Sequence, residues 1–121
     1  MGVREISHGG KSIIIVDCSD LTMAHKETIK KILIDGSATI AKAPLNSAYV
    51  ITIISNVEFE TEVFDAFKQY ALRNTKYVRA SAIVGMEGIQ KAMYNIIRIL
   101  TQRDYYVAKS LDDAKQYLSS K

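Results

Sequence analysis

Apolar positions along the 121-residue chain switch repeatedly between two periods. Ser12-Ile-Ile-Ile-Val-Asp17 is a β-branched run with no polar alternation, which predicts an interior strand covered on both faces. Val3 to Ser7 precedes it through His8-Gly9-Gly10-Lys11, a hairpin signal in which the two glycines supply positive φ. From about Thr22 to Lys42 the period becomes helical, with Ile29, Ile32, Leu33, Gly36 and Ile40 on one stripe. Pro44 stops that helix, and Pro44 to Ser47 forms the loop. Tyr49 to Ile54 reads as a second buried strand. A helix follows from about Glu60 to Arg73, with Val63, Phe67, Tyr70 and Ala71 inward and Asn74 as a left-handed C-cap. Tyr77 to Val84 is a further strand, ended by Gly85. The next helix carries the cleanest stripe in the chain: Ile89, Ala92, Met93, Ile96, Ile97 and Leu100. A last strand, Asp104 to Ala108, leads to a helix whose start is marked by Ser110-Leu-Asp-Asp113, a capping box with Asp for the usual Glu. The order β-β-α-β-α-β-α-β-α predicts one α/β domain over residues 1–121, its sheet mostly parallel with an antiparallel N-terminal edge strand.

Composition narrows the class. Hydrophobic residues make up 48% and charged residues 24%, which is globular and excludes a disordered chain. The lone cysteine, Cys18, excludes an internal disulfide and fits a reducing compartment. No apolar run reaches the length of a membrane span, and the first residues lack both an apolar signal core and a myristoylation pattern, so the expected location is cytoplasmic. Charge is uneven: residues 1–60 hold 6 Lys/Arg against 7 Asp/Glu, residues 61–121 hold 10 against 6. The basic residues fall singly on solvated helix faces, which argues against a nucleic-acid partner, since such binding neutralises several phosphates together.

Few residues offer chemistry. His8, His25 and Cys18 show no ligand spacing, so no metal site is expected. Cys18 beside His25 is the sole candidate nucleophile pair, against a reading of Cys18 as a small apolar residue finishing a buried strand. Asp17 and Asp20 read as turn formers with N-cap oxygens for the first helix. Gly85-Met-Glu-Gly88 sits where phosphates bind, but it lacks the Lys and Ser/Thr of a phosphate loop and the third Gly of a dinucleotide fingerprint. It reads instead as a tight strand-to-helix turn, and no cofactor is expected. Ser55-Asn-Val-Glu-Phe-Glu-Thr-Glu62 is more telling. Glu58, Glu60, Glu62 and Asp65 crowd one helix start, where the helix dipole favours acids. Thr61 is a hydroxyl displayed there, an acceptor for a switchable phosphate, although the acids around it would repel that charge.

The strand-final Ser-Asn-Val-Glu-Phe before an acidic helix start resembles the strand-to-helix junction of STAS domains, the anti-sigma-factor antagonist fold. Lys76 to Asn95, Thr101-Gln-Arg103 and Ser110 to Leu118 are similar to the SpoIIAA-like (STAS) group of small bacterial proteins, and the similarity runs from the Ile13 strand to Leu118. That resemblance implies a non-catalytic regulatory module acting through an unidentified protein partner, with homodimerisation as a further option. Antagonists of this kind carry an Asp-Ser pair whose Ser is phosphorylated; the matching positions here fall near Glu60-Thr61, and the pair itself is absent. The candidate interaction junction is therefore Ser55, Asn56, Glu58, Glu60 and Thr61. The resemblance extends to lipid-carrier types, which implies an alternative: a carrier of a small apolar ligand, with the helix after Gly85 lining the pocket. Against that alternative, a chain this short is expected to spend its apolar stripes on its own core. Tyr77, Tyr94, Tyr105 and Tyr106 are candidate interface anchors, or residues that close the core at strand ends.

Overall fold

In the computed structural model, which describes residues 2–86 and 89–121, the chain forms five strands and four α-helices. They are β1 (Gly2–His8), β2 (Lys11–Asp17), α1 (Lys26–Ile40), β3 (Ala48–Ile53), α2 (Thr61–Asn74), β4 (Val78–Val84), α3 (Ile89–Thr101), β5 (Tyr106–Ala108) and α4 (Leu111–Ser119). The sheet order is β1-β2-β3-β4-β5, with β1 antiparallel to β2 and every other pair parallel. The two-residue hairpin at Gly9 and Gly10 holds both at positive φ, 58° and 79°, as a primed turn requires. No described helix is long and apolar enough to cross a membrane.

This strand order dictates where the helices go. Right-handed crossovers between parallel strands that advance in one direction all fall on the same face of the sheet. Accordingly α1 and α2 pack together over Ile14, Val16, Ala48, Val50 and Val78, and α3 lies beside α2. The residues between these positions point to the opposite face, where Ile13, Ile15, Ile51, Ile53, Ala82 and Val84 meet Ala114 and Leu118 of α4. The continuous Ile-Ile-Ile-Val run of β2 is thus buried on both sides, as its lack of alternation predicts. On α1 the buried positions include the whole expected stripe, Ile29, Ile32, Leu33, Gly36 and Ile40. Gly36 sets the closeness of that docking: a Cβ there would lie 2.9 Å from Val16 Cγ2.

Local signals differ from expectation in several places. Asp17 and Asp20 do not cap α1. A 3-10 turn, Met23–His25, precedes that helix, and its N-cap His25 makes no side-chain cap bond. Asn74 is not a left-handed cap; it is the last helical residue of α2 and buried, and the following Thr75 is still right-handed at φ −51°. Its hydroxyl bonds back to Ala71 O at 2.9 Å, which serves a terminal carbonyl without a left-handed turn. Ser110 caps α4 by accepting from Asp113 N at 3.1 Å. Asp113 completes the arrangement one residue further out than a capping box would, accepting from Lys109 N at 2.9 Å and from the Tyr106 hydroxyl. Residues 104 and 105 lie outside β5, which shortens the sheet floor beneath α3.

The largest departure is α3. Of its predicted inward stripe, Met93 and Ile97 are half-buried, whereas Ala92, Ile96 and Leu100 are exposed, the last two at 46% and 50%. Ile99 is exposed as well, at 70%. A 13-residue helix that crosses to a three-residue edge strand carries more apolar surface than the floor beneath it can cover. The core therefore does not consume that stripe. The side chain of Ile89 and the Glu87-Gly88 part of the expected glycine turn lie outside the described residues.

Candidate functional site

The turns after β2 and β3 are stitched to one another. Asp20 and Asn56 both adopt left-handed backbone, at φ 64° and 60°. Asn56 Nδ2 donates to Asp20 Oδ1 at 2.8 Å, Asp20 N donates to Ser55 O at 2.8 Å, and Glu58 N donates to Leu21 O at 3.3 Å. Gly85, at φ 94°, passes so close to Ser55 that any Cβ would fall 2.5 Å from its Cα and N. Three successive strand ends are thereby locked into one corner, and Ser55, Asn56 and Glu58 have structural work there. Glu60 is the N-cap of α2, its Oε1 accepting from Val63 N at 2.8 Å. Thr61 is the first helical residue and is exposed.

The expected acidic cluster is largely dispersed by pairing. Glu62 reaches across to α1, 2.8 Å from Lys30 Nζ and 3.2 Å from Lys26 Nζ. Hydrogen bonds from Lys30 and then Lys26 hold its carboxyl below the usual range, and the same contact raises Lys30. Asp65 pairs with Lys68 at 3.5 Å. The candidate nucleophile pair separates. Cys18 is fully buried among apolar side chains, and burial, followed by the neighbouring Asp17 carboxylate, pushes its thiol up to about 12. Such a thiol is not ionised near neutrality. His25 is exposed, with its Nδ1 3.2 Å from the Thr22 hydroxyl.

A second feature is a cavity of about 80 Å³ between α2, α3 and the sheet. Val50, Thr52, Ser81 and Ile83 form its floor, Phe67 and Tyr70 one wall, and Met93, Tyr94 and Ile97 of α3 the other. Tyr105 and Arg103, on the chain leaving α3, close one end. These closing groups hold each other in place. The Tyr94 hydroxyl donates to Tyr105 O at 3.0 Å, the two rings meet edge to face at 5.9 Å, and the Tyr105 and Thr101 hydroxyls pair at 3.1 Å. Burial raises the Tyr105 phenol. The Arg103 guanidinium donates to three backbone carbonyls, Thr75 at 3.1 Å, Val78 at 2.6 Å and Arg79 at 3.3 Å. These tyrosines thus close the core at a strand end. Beneath them the Tyr70 and Thr52 hydroxyls bond at 2.9 Å in full burial, and burial lifts the Tyr70 phenol far above its ordinary range.

Among the described residues two buried side-chain oxygens lack a partner, Ser37 Oγ and Ser81 Oγ. Ser37 faces the shallow groove between the C-terminal halves of α1 and α2, whereas Ser81 faces the cavity. Its placement follows from a bulge. Ala48 pairs with Val78 but Tyr49 pairs with Ala80, so Arg79 is an extra residue on β4. The bulge reverses the alternation of the strand and turns Ser81 and Ile83, rather than Ala80 and Ala82, toward α2 and α3. Pattern reading of Tyr77 to Val84 contains no signal for that reversal. No protein-family model, curated protein or solved structure matches this chain.

Proposed function

We propose that this protein is a non-catalytic binding module that takes up a small apolar molecule between α2, α3 and the sheet. The observation that carries this reading is the cavity beneath α3, walled by Phe67, Tyr70, Met93 and Ile97, next to a helix whose apolar stripe is left half unused. Pockets for small molecules are built this way: mostly apolar and aromatic walls with few polar groups. The resemblance to lipid-carrier types of the SpoIIAA-like (STAS) group leads to the same place. Native mass spectrometry of freshly purified protein, together with amide NMR under xenon pressure, tests it. A non-covalent adduct, or xenon shifts confined to residues around the cavity, is expected. A clean ligand-free mass with no xenon shifts overturns it.

A second reading is a regulatory interaction module of the anti-sigma-factor antagonist kind, with a protein partner or a second copy of the chain docking at the α2 start. It is favoured by the exposure of Thr61 at the first turn, where the nearby carboxylates of Glu60 and Glu62 are already engaged by Val63 N and by two lysines. A Thr61→Glu and a Glu60→Lys variant should each lose protein partners that wild type retains in pull-downs. Unchanged partners remove this reading.

A further inference from the structure

We infer that the cavity under α3 selects a neutral molecule with an apolar body and one hydrogen-bonding oxygen, an alcohol or ketone, which pairs with Ser81 Oγ. This rests on the binding reading above and adds the chemistry of the ligand.

Ser81 is 9% exposed, its Oγ is wholly buried, and it has no partner among the described residues. A hydroxyl left so is costly, and native structures pair almost all such groups. The other hydroxyls around the cavity are already committed: Thr52 with Tyr70, Tyr105 with Thr101, Tyr94 with the Tyr105 carbonyl, and Thr75 with the Ala71 carbonyl. A buried water wants about two to four polar partners; among the described hydroxyls of the cavity only Ser81 Oγ is unengaged, and the other uncharged polar side chain on the wall is the Asn74 amide. An oxygen on an apolar body needs only the one.

The wall also specifies charge and size. No Asp, Glu, Lys or His lines the cavity among the described residues. The one charged lining residue, Arg103, has its guanidinium turned to three backbone carbonyls. A carboxylate or an ammonium would therefore enter without a counter-charge, which is far more costly than burying a hydroxyl. The volume of about 80 Å³ is roughly half that of the 150 Å³ cavity known to take benzene, so the cavity suits a short chain and no ring.

The test uses xenon, 1-butanol, 2-butanone, butyrate and butylammonium, each titrated into wild type and a Ser81→Ala variant and followed by amide NMR. Wild type should respond to xenon and to both neutral oxygen compounds around β3, β4, α2 and α3, with butyrate and butylammonium at least tenfold weaker. The Ser81→Ala variant should keep its xenon response and lose at least fivefold in affinity for butanol and butanone. Xenon binding with butyrate as tight as butanol, or with butanol indifferent to Ser81→Ala, overturns the ligand class and leaves the binding reading intact. No response to xenon or to any of the four compounds overturns the binding reading itself. The wild-type comparison of neutral with charged probes needs no variant and decides the matter even if the substituted protein folds poorly.

Discussion

Replacing Tyr70 by Phe removes one oxygen from the buried α2 wall of the cavity and little else. The ring should stay where it is, in edge-to-face contact with Phe67 at a centroid distance of 6.4 Å. What changes is Thr52, only 8% exposed, whose hydroxyl loses its 2.9 Å partner. Both groups are neutral, because burial keeps the Tyr70 phenol protonated. The lost bond between neutral groups contributes about 1 kcal/mol, and the orphaned hydroxyl adds a desolvation penalty, so the variant should be less stable by about 1–3 kcal/mol. For a chain of this size that is a fall in Tm of about 3–12 °C. Replacing Thr52 by Val alone orphans Tyr70 in the same way. Replacing both removes donor and acceptor together, so the double variant should lie at least about 1 kcal/mol above the sum of the single effects. Urea unfolding of the four proteins, with equal slopes, measures that coupling. Additive effects within about 0.5 kcal/mol would refute the hydrogen bond as a stabilising pair.

Other expectations follow from the same geometry. In ligand-free protein, Ser81→Ala should raise stability by about 1 kcal/mol, because it deletes an unpaired buried hydroxyl; a loss of stability in urea unfolding would mean that the hydroxyl is satisfied. Gly85→Ala combines a left-handed backbone at φ 94° with a Cβ that would strike the Ser55 backbone, so a loss exceeding about 2 kcal/mol is expected, and a denaturation midpoint equal to wild type would refute the close approach. At low pH, Asp17 matters most among the carboxylates at the strand ends. Burial alone would raise it, but hydrogen bonds from the Ser19 hydroxyl and amide outweigh burial and set it below its ordinary 3.8. A carboxyl lowered in the folded state contributes stability above its unfolded value, and that contribution is lost as pH falls through the lowered folded value. Denaturant midpoints should therefore hold to about pH 4 and then decline, with a shallower decline in Asp17→Asn; an identical profile in that variant would discount this residue.

The βα alternation, the hairpin and the α1 stripe were legible because each is a local pattern that burial enforces: Ile29, Ile32, Leu33, Gly36 and Ile40 all turn inward. The resemblance to lipid carriers implies a pocket lined by the helix after Gly85, but the hydrophobic pattern itself does not show the cavity, for two physical reasons. Amphipathicity announces that a helix has an apolar face but not how much floor lies beneath it, and α3 overhangs a strand of three residues. The facing of β4 depends on a bulge at Arg79, a pairing event between strands that leaves no trace in single-strand alternation. The junction at Ser55 to Thr61 was found correctly as a strand-to-helix corner. Its side chains nevertheless proved mostly engaged in holding that corner, because the partner turn at Asp20 lies 36 residues away from Asn56 in the chain.

The monotonic strand order also sets the sequence in which the protein can bury itself during synthesis. Each βα unit from β2 onward has its neighbour already made, so the α1/α2 side of the sheet can be covered as the chain grows. The opposite side has no such schedule. Ile13, Ile15, Ile51 and Ile53 wait for α4, the last element of the fold, whose Ala114 and Leu118 are their cover. A nascent or truncated chain lacking residues 111–119 presents an isoleucine-rich sheet surface to its surroundings, the kind of surface that chaperones hold and that otherwise aggregates.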